Sequence, residues 1–534
     1  MASEPTFAYI VVGAGSAGCV VASRLSEDPD TQVLLLEAGG PDTRPEIHAE
    51  DLDSLFALWR SEWAPSIDWG YVSEDEPGLG GRRIPVARGR VLGGSSSVNA
   101  LMYVRGNRRD FDTWNYLGNR GWSYQHVLPF FKRSEDYEGG ASEYRGAGGP
   151  LSVVNHADPT PVARAFVAAA QELGYGGPDN DYNAAQQEDT AFFYQSTKTR
   201  DRKRCSTSVA FLEPARRRAN LTVDVGARVT RLLVEGRRVV GVEYVQGGQT
   251  RRARAEREVV VSSGAFESPK LLMLSGIGPA AHLRTHGIQV LVDLPGVGEN
   301  LQDHLFVGLC YRCRREHPRA TLVSEAGLFT RTEEGLESAA PDVQFTFGSA
   351  KFLLENAPAW KQEGPGFTFA PVGIRPQSAG RVTLRSGDWQ DVASVRFNYL
   401  QADADVTVLV RGIQLGRELA QARAFDDLRG EELSPGPEVT SDDDLRQFVR
   451  AGATTLWHPV GTCRMGGDAG AVVDDELRVH GVDGLRVADA SVMPAIVAGN
   501  TNAASIMIGE RAAAMLQGQP VPELASPGRS ARTL

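Results

Sequence analysis

Apolar and polar positions along this chain fall into short runs that read as separate elements. Tyr9 to Val12 is a β-branched apolar run and predicts a buried strand. Cys19 to Leu25 carries its apolar residues at helical spacing, and Val33 to Leu36 is a second buried run that ends at Glu37. Thr222 to Val225, Val229 to Val234, Val239 to Val245, Glu258 to Ser262 and Leu485 to Val487 also read as strands, and Pro161 to Leu173 as a helix. From about residue 306 the character changes. Val343 to Phe347 and Arg381 to Leu384 alternate residue by residue, as antiparallel strands do. Leu305 to Arg314 reads as one strand, and helices are expected at Asp403 to Ala422, Asp442 to Ala451 and Ala503 to Leu516. The pattern predicts an α/β chain: a Rossmann-like nucleotide-binding domain interleaved with an α+β domain that carries an antiparallel sheet. The first is expected to comprise residues 1–155, 221–305 and 451–534, and the second 156–220 and 306–450.

The first turn is informative in detail. Gly13-Ala14-Gly15-Ser16-Ala17-Gly18 joins the first strand to the first helix. Gly13 permits the tight turn, Gly15 admits a pyrophosphate to the backbone, and Gly18 lets the helix pack on the strand. The helix N-terminus, with Ser16 and Ala17, then faces phosphate charge. Glu37 lies 19 residues beyond Gly18 and is followed by Ala38. That is the spacing of a carboxylate that accepts from a ribose, and an acid there argues against a 2′-phosphate. Glu258 to Ser262 leads into Ser263-Gly264-Ala265, placed like a second nucleotide-facing turn. Residues 48–78 are Trp-rich and irregular, and read as a cover over the nucleotide.

Bulk properties narrow the class. At 534 residues the chain exceeds one core, and 42% apolar with 23% charged residues is ordinary globular composition. A net charge of −11 argues against nucleic acid as a partner, and no apolar run is long enough for a transmembrane helix. Met1 to Phe7 lacks the basic and apolar character of a leader. Five cysteines are few and odd in number, which suits a reducing, cytoplasmic location. Cys310 and Cys313 form an isolated C-x-x-C with no second pair, so no metal site is expected.

Arg88-Gly89-Arg90-Val91-Leu92-Gly93-Gly94-Ser95-Ser96-Ser97-Val98-Asn99 is a run of small residues anchored by Val91 and Leu92. It reads as an ordered loop that brings backbone N–H groups to something flat or anionic. The stretch Gly89 to Asp110 resembles the first signature of the glucose–methanol–choline (GMC) flavoprotein oxidoreductases. Gly264 to Gly278 resembles the second. Leu294 to His304, Trp457 to Thr462, Ala490 to Pro494 and Gly499 to Asn502 are similar to further motifs of that family, in order along nearly the whole chain.

The resemblance implies FAD, a FAD-binding first domain and a substrate-binding second domain. It implies that Arg90, Val91, Gly94, Ser95, Val98, Asn99 and Ala100 lie at the flavin, that Val229 meets the adenine side, and that Asp489 and Ala490 meet the ribityl chain. Trp457 and Asn500 belong to the same set. Some relatives attach FAD through a histidine where this chain has Val98, so non-covalent FAD is expected. The implied reaction is oxidation of a primary alcohol to an aldehyde. His458 would remove the hydroxyl proton, hydride would pass to flavin N5, and O2 or a quinone would reoxidise the cofactor. Asn502 would face His458 and donate to the developing alkoxide; capping the final helix is its other reading. Glu325 matches a glutamate used by some relatives against a quaternary ammonium, which leaves a choline-type substrate open. The alternatives are a hydroxynitrile lyase or a photodecarboxylase. The latter carries a cysteine where Ile374 stands and lacks the histidine at position 458.

Overall fold

The computed structural model describes residues 4–49, 51–59, 64–333, 340–354 and 357–520. Two large sheets organise them. The first has seven strands, with Leu221–Val225, Val33–Glu37, Thr6–Val12 and Gln249–Val261 side by side. The neighbours in this run are parallel, and Leu485–Val487 adds a further parallel partner to Gln249–Val261. Ala227–Glu235 and Arg238–Gln246 extend the sheet as antiparallel strands. Helices Gly18–Leu25, Gly264–Leu274 and Asn502–Leu516 pack around it. Ile10, Val11, Val20, Val21, Leu35, Val260 and Ile508 are wholly buried in this core, each worth about 1.5–3 kcal/mol of burial.

The second sheet has eight strands, ordered Arg429–Ser434, Leu309–Cys313, Gly366–Gly373, Val343–Gly348, Ala326–Thr330 and Thr190–Phe193, with Leu305–Phe306 and Thr454–Thr455 attached. Its neighbours are antiparallel. Period-two alternation sorts the faces. Phe345, Phe347, Phe367 and Phe369 turn to an aromatic core with Phe166 and Phe425, where ring centroids approach to 4.8 and 5.2 Å. Helix Asp403–Gln421 lies on this side. It comes so close that a Cβ at Gly412 would sit 2.5 Å from Pro371, and one at Gly416 2.8 Å from Leu309. Thr346, Gly348, Thr368 and Ala370 turn the other way and line a cavity between the sheets.

Several expected elements differ. The strand expected over Leu305 to Arg314 is divided into Leu305–Phe306 and Leu309–Cys313, which pair with Gly366–Gly373 in one unbroken register. Glu258 to Ser262 is the buried end of the longer strand Gln249–Val261, whose Arg251 and Arg252 are exposed. Arg381–Thr383 pairs with Ser394–Arg396 in a separate small sheet. Leu305 and Thr454–Thr455 fall within stretches expected for the first domain, yet pair into the second sheet. The 48–78 stretch contains helices Leu52–Trp59 and Ala64–Ile67, and Leu58, Ile67 and Trp69 reach the cavity wall; residues 50 and 60–63 lie outside those described. Among the described residues no helix is long and apolar enough to cross a membrane, no side-chain cluster has the makings of a metal site, and all five cysteines are free and buried.

Candidate active site

A cavity of about 670 Å³ runs from the first turn of the chain to the second sheet. At one end the wall is backbone. Gly13 (φ +98°) and Gly264 (φ +82°) need the left-handed region open to glycine. Ideal Cβ atoms at Gly15 and Gly264 would meet no protein atom within 4 Å, only the cavity both residues line. Gly94 packs against the same turn, where a Cβ would come within 2.7 Å of the Gly15 Cα. The Gly93 N–H donates to the Ala14 carbonyl at 2.8 Å and holds the two loops together. Such a cradle, bare of side chains and extended by Val229, Ser263 and Glu37, fits a dinucleotide's phosphates and sugar.

Of the cofactor residues expected from sequence, Gly13, Gly15, Ser16, Ala17, Glu37, Ala38, Gly94, Ser95, Val98, Asn99, Ala100, Val229, Ser263, Gly264, Trp457, Asp489, Ala490, Asn500 and Asn502 all line the cavity. Gly18, Arg90 and Val91 do not. A Cβ at Gly18 would fall 1.9 Å from the Gly13 carbonyl oxygen, so this glycine serves helix packing. Val91 is wholly buried beside Gly40, and the Arg90 guanidinium lies 5.7 Å from the Trp69 ring centroid.

Two acids prove more occupied than expected. Glu37 accepts from the Ala14 N–H at 2.9 Å and from the Gly39 N–H at 2.7 Å. Burial pushes its carboxyl up to about 7 against those two donors and Arg90. Asp489 accepts from the Gly264 and Ser491 N–H groups and the Ser268 hydroxyl, at 2.8, 2.7 and 2.6 Å. Both carboxylates brace the turns that form the wall.

At the other end the wall is made of side chains. His458 is buried, with 8% exposed. Its Nε2 is 3.2 Å from Asn500 Nδ2, and its Nδ1 is 3.0 Å from His304 Nδ1. Burial first, then His304 and Arg88, hold its pKa well below the usual imidazole value, so the ring is neutral. Its loop is tightly specified. Asp303 Oδ1 accepts from the His458 and His304 N–H groups at 2.7 and 2.9 Å. Asp303 Oδ2 accepts from the Thr455 and Tyr399 hydroxyls at 2.5 and 2.6 Å. Arg88 Nη2 donates to the Trp457 carbonyl at 2.8 Å. Trp457 itself has φ +60°, a conformation costing about 1–3 kcal/mol that these contacts hold in place.

The pairing expected for Asn502 is corrected. Its Oδ1 accepts from the Ser16 hydroxyl at 2.7 Å, and the neighbour of His458 is Asn500. Asn502 opens helix Asn502–Leu516 and turns toward the first helix, whereas Asn500 precedes the helix and follows Gly499 at φ +112°. Glu325 is wholly buried and absent from the cavity wall. Thr160 donates to it through N–H and hydroxyl at 2.9 and 2.7 Å, His156 lies at 3.2 Å, and the Ser349 hydroxyl also bonds to it.

The sequence reading assigned no role to Asp303, His304, Tyr399, Thr455 or Arg204. Asp303 and His304 close the motif Leu294 to His304, which was the available signal. Arg204 is buried and donates to the Asn99 carbonyl and Oδ1, both at 2.8 Å, fixing the small-residue loop. The wall at this end also includes Met102, Phe306, Val323, Ser324, Thr346, Gly348, Ala350, Phe352, Thr368, Ala370 and Leu456.

Comparison with known proteins gives one consistent result. A family profile described as GMC oxidoreductase matches residues 7–306 through its N-terminal part and 376–509 through its C-terminal part. The chain is 42% identical to human mitochondrial choline dehydrogenase, covering 97% of this chain and 91% of that protein. It is 40% identical to oxygen-dependent choline dehydrogenase of Brucella canis, over 96% of this chain and 95% of that one. Among solved structures, pyridoxine 4-oxidase from Mesorbium loti superposes with TM-score 0.88 at 35% identity, covering 96% of this chain and 99% of the other.

Proposed function

The chain belongs to the GMC oxidoreductase family, and from that premise we propose its residue roles and substrate class. It is an FAD-dependent alcohol oxidoreductase. FAD, when bound, supplies the hydride acceptor. The glycine-built end would hold the nucleotide, and Ser95, Val98 and Asn99, which line the cavity, would lie against the ring. Val98 offers no nucleophile, so the cofactor is dissociable. Among the described residues, those within 1–155, 221–305 and 451–534 make up the FAD-binding domain, save Leu305 and Thr454–Thr455, which pair into the second sheet, and those within 156–220 and 306–450 the substrate-binding domain. Five unpaired, buried cysteines support a cytoplasmic location.

His458 takes the hydroxyl proton at Nε2. Its place carries this role: His458 lines the cavity with Nε2 toward Asn500 and Nδ1 toward His304, and burial keeps the ring uncharged and able to accept a proton. Asn500 Nδ2 donates to that Nε2 at rest, and when the hydroxyl proton takes its place the amide N–H is released to the developing alkoxide. Asn502 holds Ser16 and so the phosphate-facing turn.

The alcohol has an apolar body. The wall formed by the second sheet is hydrocarbon, phenylalanine and threonine, without a carboxylate. The acids that border the cavity elsewhere are Glu37, Asp68, Glu267 and Asp489, and each already accepts from backbone or side-chain donors. Glu325, the candidate partner of a quaternary ammonium, is turned away and saturated. Ile374 is buried and off the wall, which gives no support to photodecarboxylation.

The test is anaerobic bleaching of the FAD-loaded protein by 1-octanol, benzyl alcohol and choline, followed by re-aeration. Faster bleaching by the two apolar alcohols is expected. Preferential bleaching by choline would instead assign the Phe306 and Phe352 rings, 5.6 Å apart, to a cation site. Recovery of colour in air identifies O2 as acceptor, and its absence points to a quinone.

A further inference from the structure

We propose that His304 is a positioning residue: its Nδ1 accepts the Nδ1–H of His458 and so keeps the Nε2 lone pair of His458 facing the cavity. The inference rests on the reading of His458 as the base. The two rings meet edge-on, at 86° with centroids 5.2 Å apart, and their Nδ1 atoms are 3.0 Å apart. A neutral imidazole carries one N–H. Two hydrogens between the Nδ1 atoms would clash, and two lone pairs would repel. One Nδ1 therefore donates and the other accepts, and the two tautomers are locked to each other.

Asn500 decides the direction. It faces His458 Nε2 with Nδ2 at 3.2 Å while its Oδ1 is buried without a partner; an amide N–H can only donate, so in this orientation Nε2 offers the lone pair. The His458 hydrogen is on Nδ1, His304 Nδ1 accepts it, and the His304 hydrogen is on Nε2. That atom is buried without a hydrogen-bond partner, and the Ile374 carbonyl lies beside the ring. In the reverse arrangement His458 Nε2 would carry hydrogen and could take no proton from a hydroxyl.

The surroundings keep both rings neutral and fixed. His304 is wholly buried, and burial drives its pKa down to about 3 against the Ile374 carbonyl, with Arg375 adding to the fall. Arg88 acts likewise on His458. Asp303, which accepts from Tyr399 and Thr455, binds the backbone N–H of both histidines and fixes their separation. His304 does not touch the cavity wall. It acts through its partner, as the aspartate of a serine-protease triad sets the tautomer of its histidine.

The tautomer is measurable apart from turnover. In FAD-loaded protein carrying 15N-histidine, long-range proton–nitrogen NMR should show His458 with a pyridine-type Nε2 and a pyrrole-type Nδ1, the signal being assigned by its loss in His458→Ala. His304→Phe keeps a ring but offers no acceptor. It should shift His458 toward Nε2–H and slow anaerobic flavin bleaching by about 100-fold with FAD retained. His304→Asn, whose side-chain oxygen falls near the Nδ1 position, should restore most of both. A wild-type His458 protonated at Nε2 overturns the proposal, whether or not His304→Phe folds. So does a His304→Phe protein with unchanged tautomer and rate. If His458→Ala itself bleaches at the wild-type rate, the base assignment fails; if it does not and His304→Phe behaves as wild type, only the role of His304 fails.

Discussion

At the nucleotide end of the cavity the working surface is what the chain leaves out. Gly13, Gly15 and Gly264 carry no side chain, and Glu37 and Asp489 spend their oxygens on backbone N–H groups of the turns. At the reacting end the surface is what the chain puts in: an imidazole, an amide and a wall of apolar side chains from segments hundreds of residues apart. The first end starts from a local signal, one turn and one acid written within 25 residues, to which Gly94, Val229, Gly264 and Asp489 add backbone from farther along. The second exists only after the second sheet has folded over the first. A side chain added should therefore ruin the first end, and one removed should ruin the second.

The largest effect is expected from addition. Gly15→Val points a branched side chain into the phosphate cradle, where no protein atom lies within 4 Å of the new Cβ. The variant should fold and purify colourless, failing to take up added FAD; a yellow Gly15→Val protein would mean that the cradle holds something else. Removal at the other end should leave the colour. His458→Ala is expected to keep FAD and lose roughly 10²–10⁴-fold in the rate of anaerobic bleaching by alcohol. Near-normal bleaching would remove the imidazole from the chemistry.

The two asparagines sharpen the contrast further. Asn500→Ala should slow bleaching about 10- to 100-fold, the worth of a hydrogen bond to a charged group. Asn502→Ala should act first on FAD affinity, through Ser16. Stopped-flow rates and FAD dissociation measured on both variants would separate them, and reversed phenotypes would refute the assignment. The smallest effect concerns stability. Burial holds the His304 pKa down to about 3, well below the usual imidazole value of 6.5. Below pH 6.5 the unfolded chain binds more protons, so stability should fall as pH drops from 6.5 toward 3. His304→Asn should flatten that fall, measured as Tm against pH; an unchanged slope would show that other groups govern it.

The same contrast explains what could be read from sequence. The Gly13 to Gly18 turn, Glu37 and the surrounding strands were legible because local spacing dictates them. So was the alternation that sorts Thr346 from Phe345 and Phe347. Asn500 and Asn502 were interchanged because they stand two residues apart, and only the backbone at Gly499 and the start of the last helix decide which one meets His458. Asp303 and His304 were visible as part of a motif, but their purpose depends on contact with a loop more than 150 residues away. Arg204 carried no signal, since a buried arginine with carbonyl partners looks in sequence like any surface arginine.

The most direct test of the whole account is a crystal structure of the FAD-loaded protein. The account predicts the dinucleotide along Gly13, Gly15 and Gly264, with the ring against Val98 and Asn99. The gap between the ring's reactive edge and His458 Nε2 should admit one alcohol carbon at roughly 3–3.5 Å, with Asn500 at its side. A ring seated elsewhere in the cavity, or one whose reactive edge faces away from His458, would contradict it.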